Sequence, residues 1–133
     1  MSFRILIVDD SAAMRRAIQR AIEISALPVE CCLTAQHGRE ALSVLSNHRV
    51  DLLLVDLNMP EMSGDELIRH LRDEASGANL ACIPFIVMSA DATARRVQDL
   101  LELGALTYLP KPFSAEMLRS ELGKALEQIH VSN

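Results

Sequence analysis

The stretch RILIVDD, residues 4–10, is a short apolar run that ends in two adjacent aspartates. A second stretch, DLLLVD at residues 51–56, repeats the pattern, with an apolar run followed by one aspartate. Apolar runs without polar alternation are typical of strands that are covered on both faces, as in parallel sheets. The two stretches therefore predict two buried strands whose carboxyl ends carry aspartates.

Strand-like and helix-like segments alternate along the whole chain. The predicted strands cover residues 4–8, 29–34, 51–55, 83–88 and 105–109. Each is followed by apolar residues at helical spacing, and the predicted helices cover residues 11–24, 37–45, 65–74, 93–103 and 114–129. This alternation predicts an α/β fold, a flavodoxin-like (βα)5 doubly wound parallel sheet with strand order 2-1-3-4-5. A closed barrel would need eight strands.

Composition limits the classes of function. The chain has 133 residues, half of them apolar, which fits one domain with its own core. A net charge of −5 and an aromatic content of 3% argue against a nucleic-acid partner. No apolar run approaches the ~18 residues of a membrane helix, and the three cysteines lack metal or redox spacing. We expect a cytoplasmic protein without membrane contact.

Polar side chains follow four of the five predicted strands. Asp9 and Asp10 follow the first, Asp56 the third, Ser89 the fourth and Lys111 the fifth. In an open parallel sheet, ligands bind beyond the carboxyl ends of the strands, at the point where the strand order reverses. We therefore expect these five residues to surround one crevice.

The residue types in this crevice suit phosphoryl transfer. Three carboxylates close together repel one another, and a hard divalent cation such as Mg²⁺ relieves that repulsion. Lys111 can neutralise a phosphate oxygen, and Ser89 supplies a hydrogen-bond donor. An aspartate carboxylate can itself accept the phosphoryl group as an acyl phosphate.

Four motifs occur in order at these strand ends. They are Val8-Asp9-Asp10-Ser11 with Met14-Arg15-Arg16, Asp56-Leu57-Asn58-Met59-Pro60 with Gly64, Met88-Ser89-Ala90, and Gly104-Ala105 with Tyr108 and Lys111-Pro112-Phe113. On these motifs, nearly the whole chain resembles the receiver domain of response regulators. Among receiver domains it is similar to the single-domain chemotaxis type (CheY-like).

The resemblance implies a role for each carboxylate. Asp56 would be the phosphoacceptor. Asp10 and Asp56 would bind Mg²⁺ directly, with the backbone carbonyl of Asn58 as the third protein ligand. Asp9 would hold the metal through water.

The resemblance also implies roles for the residues at the other two strand ends. Lys111 would pair with the phosphoryl group, and Ser89 would bond one of its oxygens after transfer. Tyr108 would follow by changing its rotamer from exposed to buried. The peptide bond before Pro112 would be cis.

As a function, the resemblance implies a phosphorylation-activated regulator of a two-component or phosphorelay system, with chemotaxis as one pathway. The donor would be the phosphohistidine of a histidine kinase. The output would be docking to a protein through the helix after Ala92, the strand at Tyr108 and the last helix. The chain would be no enzyme beyond its own phosphorylation and dephosphorylation. We expect a monomer, with phosphorylation-dependent dimerisation as the alternative.

Asn58 and Asp91 flank the predicted site, and in the resembled family these positions influence how fast the phosphoryl group is lost. Arg15 and Arg16 are expected to face away from the core. The pair at 95 and 96 fits either a partner contact or a solvated helix face, and we favour the solvated face.

Three alternatives stay open at the level of sequence. Residues 1–133 are expected to form a single receiver domain without an output domain. The alternative is a receiver excised from a larger regulator or hybrid kinase. A small Mg²⁺-dependent phosphohydrolase of the haloacid-dehalogenase type would need a second aspartate where Asn58 stands. A nucleotide or flavin binder of flavodoxin type would need a glycine-rich phosphate loop, which the sequence lacks.

Overall fold

Five parallel strands form a single sheet in the order β2-β1-β3-β4-β5, as the sequence predicts. The structure is a computed structural model that describes residues 2–73, 78–90 and 93–132. The strands are β1 Phe3–Val8, β2 Val29–Ala35, β3 Leu52–Asp56, β4 Phe85–Ser89 and β5 Thr107–Pro110. The helices are α1 Ala12–Glu23, α2 Gly38–Asn47, α3 Gly64–Arg72, α4 Ala78–Ala81, α5 Ala94–Glu102 and α6 Ala115–Ser132.

Two apolar layers cover the two faces of the sheet. Alternate residues of β1 enter opposite layers, with Ile5 packed in the layer of α1 and α6, and Leu6 in the layer of α2 and α3. All five residues of β3 are buried. Because β1 and β3 are covered on both faces, their residues are apolar except for Arg4 near the start of β1 and Asp56 at the end of β3.

The helix ends follow local capping chemistry. The side chains of Ser11, His37, Ser63 and Thr93 each accept a hydrogen bond from a backbone N–H in the first turn of α1, α2, α3 and α5. Gly104, with φ of 106°, follows the end of α5 in the left-handed conformation that favours glycine.

The predicted elements differ from the structure in a few places. Residues 78–81 form the one-turn helix α4, which the sequence pattern does not predict. The last helix continues to Ser132 rather than ending at 129. Residues 74–77 and Asp91 lie outside the described part of the chain. Within that part, no helix combines the length and the apolar character that a membrane span requires.

Arg72 joins three segments on one side of the sheet. Its guanidinium donates hydrogen bonds to the carbonyl oxygens of Ala81, Ile83 and Leu103, each at 3.0 Å. It also lies 5.0 Å from the centre of the Phe85 ring. These contacts fix the end of α3 against the entry to β4 and against the residue that ends α5.

Gly64 allows α3 to approach the end of β3. A Cβ atom at this position would overlap the carbonyl oxygen of Asp56 and lie 2.9 Å from Val55 Cγ1. The Gly64 N–H donates to the Leu57 carbonyl at 3.0 Å. The main chain that carries Asp56 is therefore held by a contact that only glycine permits.

We predict opposite effects for two glycine-to-alanine changes in helices. Gly64→Ala lowers the free energy of unfolding by about 1–3 kcal/mol, because the strand end must move. Gly123→Ala raises it by up to about 1 kcal/mol, since a Cβ there lies 3.5 Å from Leu27 Cδ2, an ordinary contact, and alanine favours helix. Urea denaturation measures both, and equal effects would refute the proposed constraint at Gly64.

Candidate functional site

An acidic pocket lies at the carboxyl ends of β1 and β3. The two strands pair in parallel, with Val8 opposite Val55, so the residues that follow emerge side by side. Side-chain oxygens of Asp9, Asp10 and Asp56 lie within 4.8 Å of one another. Asp9 and Asp56 are buried, whereas Asp10 is exposed. The structure brings together the three carboxylates that the sequence predicts.

Lys111 completes the pocket from β5. Its Nζ donates to Asp9 Oδ2 at 2.7 Å and lies 3.5 Å from Asp56 Oδ1. The Lys111 backbone N–H donates to the carbonyl of Ser89 at 2.9 Å, which ties the two neighbouring strand ends together. The bond between Lys111 and Pro112 is cis, the form that the resemblance implies.

The pocket shifts the ionisation of two of its members. Burial raises the pKa of Asp56, and the Asp9 carboxylate raises it further, although the Lys111 ammonium and the Asn58 backbone N–H act in the opposite direction. Burial alone would lower the pKa of Lys111. The hydrogen bond that Lys111 donates to Asp9 and the attraction of Asp56 outweigh burial, so the pKa of Lys111 is raised and the amine stays charged at neutral pH.

Asp9 is held by two further contacts. Its Oδ1 accepts from the backbone N–H of Ser11 at 2.9 Å, and its carbonyl oxygen accepts from Arg15 Nη1 at 2.6 Å. Arg15 lies on the polar side of α1 as predicted, but its side chain is half-buried over the end of β1, while Arg16 is exposed as expected. Side chains on a helix lean toward its N-terminus, which places Arg15 in the first turn of α1 over the end of β1.

Ser89 and Tyr108 lie beside the pocket. Ser89 ends β4 and is fully buried. Its carbonyl oxygen accepts from the Tyr108 hydroxyl at 2.9 Å. The Tyr108 ring is half-buried and packs against the core layer that contains Val87 and Leu100. The Tyr108 hydroxyl is therefore anchored to the strand end that carries Ser89.

Arg96 reaches from α5 toward the same end of the sheet. Its Nη1 lies 3.3 Å from Asn58 Oδ1, and its Nη2 lies 3.4 Å from Asp65 Oδ1. The preference for a solvated helix face is therefore wrong for Arg96, whereas Arg95 is exposed. The sequence pattern does not distinguish Arg96 from Arg95, because both arginines lie on the polar side of α5.

The residues of the acidic pocket fit a divalent cation. Three carboxylates and one ammonium carry a formal charge of −2 between them, and carboxylate oxygens are ligands that Mg²⁺ prefers. Within the described ranges this is the one group of three or more acidic, histidine or cysteine side chains close enough to share an ion. Receiver domains bind Mg²⁺ at such a pocket.

We predict that Asp56→Asn stabilises the metal-free protein at pH 7. The change removes a buried carboxylate that burial and Asp9 disfavour, so we expect a rise in Tm of about 4 °C for each kcal/mol gained. Differential scanning fluorimetry with EDTA measures it, and Asp10→Asn, at an exposed carboxylate, should change Tm less. Added Mg²⁺ should raise the Tm of the wild type more than that of Asp56→Asn. A lower Tm for Asp56→Asn in EDTA would contradict this account.

Comparison with known proteins places the chain in a family. Residues 5–123 match the family model of the response regulator receiver domain. The chain is 38% identical over 129 residues to the response regulator MprA of Mycolicibacterium vanbaalenii, a match that covers 96% of this chain and 52% of that protein. The chain thus spans about half the length of the curated relatives it matches.

Solved structures show the same fold. The receiver domain of AraT from Geobacillus stearothermophilus is 31% identical, with a TM-score of 0.81 and coverage of 99% of this chain and 98% of that one. The chemotaxis response regulator CheY4 of Vibrio cholerae is 28% identical, with a TM-score of 0.81 and coverage of 94% and 99%. The chain belongs to the response regulator receiver domain family.

Proposed function

We propose that this receiver domain is a phosphorylation-driven switch in which Asp56 accepts a phosphoryl group from the phosphohistidine of a histidine kinase. The arrangement around Asp56 carries the proposal. Its carboxylate is buried at the end of β3, 3.5 Å from the Lys111 ammonium, and its oxygens lie close to those of Asp9 and Asp10. The Asp56 nucleophile therefore lies next to the positive charge of Lys111 and within a group of carboxylates that can bind a metal ion.

The transfer step uses groups that are already in place. An oxygen of the Asp56 carboxylate attacks phosphorus, and the new O–P bond forms as the P–N bond of the donor breaks. The electron pair of that bond goes to the departing imidazole nitrogen. The Lys111 ammonium, which contacts both Asp9 and Asp56, balances the negative charge of the transferred group. Its raised pKa keeps it charged while the group arrives.

Asp10, Asp56 and the backbone carbonyl of Asn58 would hold Mg²⁺ directly, with Asp9 acting through water. The ion, when bound, supplies positive charge for the oxygens of the phosphoryl group. The chain itself orients the carboxylates. The backbone N–H of Ser11 and the ammonium of Lys111 fix Asp9.

The proposed output begins at Ser89. Its hydroxyl would bond an oxygen of the phosphoryl group, which draws the end of β4 toward Asp56. The Tyr108 hydroxyl is bonded to the carbonyl of the same residue, so movement of Ser89 changes how the Tyr108 ring is held. We propose that the partner docks on the face formed by α5, β5 and α6. Two of the exposed large apolar residues, Leu101 and Met117, lie on α5 and α6, at 44% and 43% exposure.

The names of the related proteins bear on the signalling pathway in which this receiver domain acts. Identity to the MprA regulator, at 38%, exceeds identity to the chemotaxis regulator CheY4, at 28%. The first relative is named only as a response regulator, whereas the second is a chemotaxis regulator, so chemotaxis stays one candidate pathway. The phosphohydrolase alternative receives no support from the site, because Asn58 supplies no second carboxylate for acid–base catalysis.

The first test measures the covalent adduct. The protein is incubated with acetyl phosphate and Mg²⁺, and its intact mass is recorded. We expect one added phosphoryl group that disappears with EDTA and in Asp56→Asn. An adduct that persists in Asp56→Asn would identify another acceptor. No adduct in the wild type, with acetyl phosphate still present, would overturn the switch. Sustained turnover of a small phosphoester would instead favour a phosphohydrolase.

The second test follows Tyr108 directly. The chain has one tyrosine and no tryptophan, so its intrinsic emission reports the Tyr108 ring alone. We expect acetyl phosphate with Mg²⁺ to change the intensity of that emission in the wild type and to leave it unchanged in Asp56→Asn. A phosphoryl adduct without any change in emission would contradict the role of Tyr108 in the output.

A further inference from the structure

A single arginine connects α5 to the loop that follows Asp56. Arg96 lies in the first turn of α5, and its two terminal nitrogens reach Asn58 Oδ1 at 3.3 Å and Asp65 Oδ1 at 3.4 Å. Asp65 is in the first turn of α3. The Arg96 guanidinium therefore links α5 to the loop after β3, through Asn58, and to α3, through the charged Asp65.

The contact of Arg96 matters because few other contacts attach α5 to the rest of the domain. Among the described side chains of α5, only Leu100 is fully buried. The far end of the helix is fixed by Arg72, which donates to the carbonyl of Leu103 at 3.0 Å. Arg96 supplies the corresponding polar contact near the end that faces the pocket. The helix is thus held at each end by an arginine and between them by little apolar packing.

Asn58 places this contact beside the reacting carboxylate. Its backbone N–H is close enough to Asp56 to lower the pKa of that carboxyl, while its side chain is exposed. The carboxamide oxygen is the only acceptor on that side chain. Arg96 takes one of its two lone pairs, and the positive charge of the guanidinium draws electron density from the other. A water that attacks phosphorus needs an acceptor for its proton so that a lone pair can point at the phosphorus. With Oδ1 engaged, Asn58 is a poorer acceptor for that water.

We propose that Arg96 is a positioning residue that prolongs the life of the acyl phosphate by engaging Asn58 Oδ1. The inference rests on the proposed function of Asp56. In the step that it slows, the oxygen of water forms a bond to phosphorus, and the bond from phosphorus to the Asp56 oxygen breaks. Its electron pair returns to the carboxylate, and the protons of water leave with the released phosphate and the solvent.

The test is the rate at which the phosphoryl group is lost. Protein phosphorylated with acetyl phosphate is freed of donor by gel filtration and kept in excess Mg²⁺, and the intact mass is followed with time. We expect Arg96→Ala to lose the group at least about threefold faster, the size of change that one partly exposed ionic contact supplies. Arg95→Ala removes the neighbouring exposed arginine and should match the wild type. Asp65→Asn, which removes the anchor, should lie between the two.

A double-mutant cycle separates this role from a general loosening of α5. If Arg96 acts through the side-chain oxygen of Asn58, Arg96→Ala accelerates loss in the Asn58 background and has no effect in an Asn58→Ala background. Arg96→Lys, which can make one of the two contacts, should restore part of the lifetime. Thermal unfolding of each variant shows whether the fold is intact.

The outcomes are distinguishable. Equal acceleration in both backgrounds, no acceleration or slower loss in Arg96→Ala would each overturn the inference, even though the adduct forms. Slower loss would mean that the cation assists attack instead of restraining Asn58. The absence of any adduct in the wild type would overturn the proposed function itself.

Discussion

The contact between the Lys111 ammonium and the carboxylates of Asp9 and Asp56 determines how the rest of the structure is arranged. Three carboxylates at the ends of two adjacent strands repel one another, and two of them are buried. The ammonium lies 2.7 Å from Asp9, a residue 102 positions away in the chain. A partner so remote can reach the pocket only if β1, β3, β4 and β5 lie in register in one sheet. The sheet order and the site therefore depend on each other.

The sequence was enough to predict this pocket because parallel strands share one functional edge. Once the apolar runs are assigned to strands covered on both faces, the next polar residue in each case must emerge at the same edge. Asp9, Asp56, Ser89 and Lys111 are therefore expected together from the strand assignment alone, without side-chain detail. The carboxylate cluster and the lysine contact are found at that edge of the sheet. The chemical roles come from the resemblance and stay proposals for this chain.

The contacts of Arg15 and Arg96 could not be predicted from the sequence. Hydrophobic periodicity assigns a residue to a face by the direction of its Cβ, and both Arg15 and Arg96 lie on polar faces. A long side chain can nevertheless fold back along its helix and place its guanidinium beyond the helix end. Arg15 does so to reach the Asp9 carbonyl, and Arg96 does so to reach Asn58 and Asp65. The acceptors are a backbone carbonyl and loop side chains, whose positions depend on the assembled fold.

The carbonyl oxygen of Ser89 links the acidic pocket to the proposed docking face. It accepts both the Lys111 backbone N–H and the Tyr108 hydroxyl, each at 2.9 Å. The first bond belongs to a main chain that β4 and β5 hold in register, with Ser89 opposite Pro110. The second ends on a half-buried side chain that can rotate about two bonds. If Ser89 moves toward a phosphoryl group, the bond to the main chain is the costlier one to break, because it would disturb the pairing of two strands. The displacement would therefore be passed to Tyr108, and a small movement at β4 would become a change at the proposed docking surface formed by α5, β5 and α6.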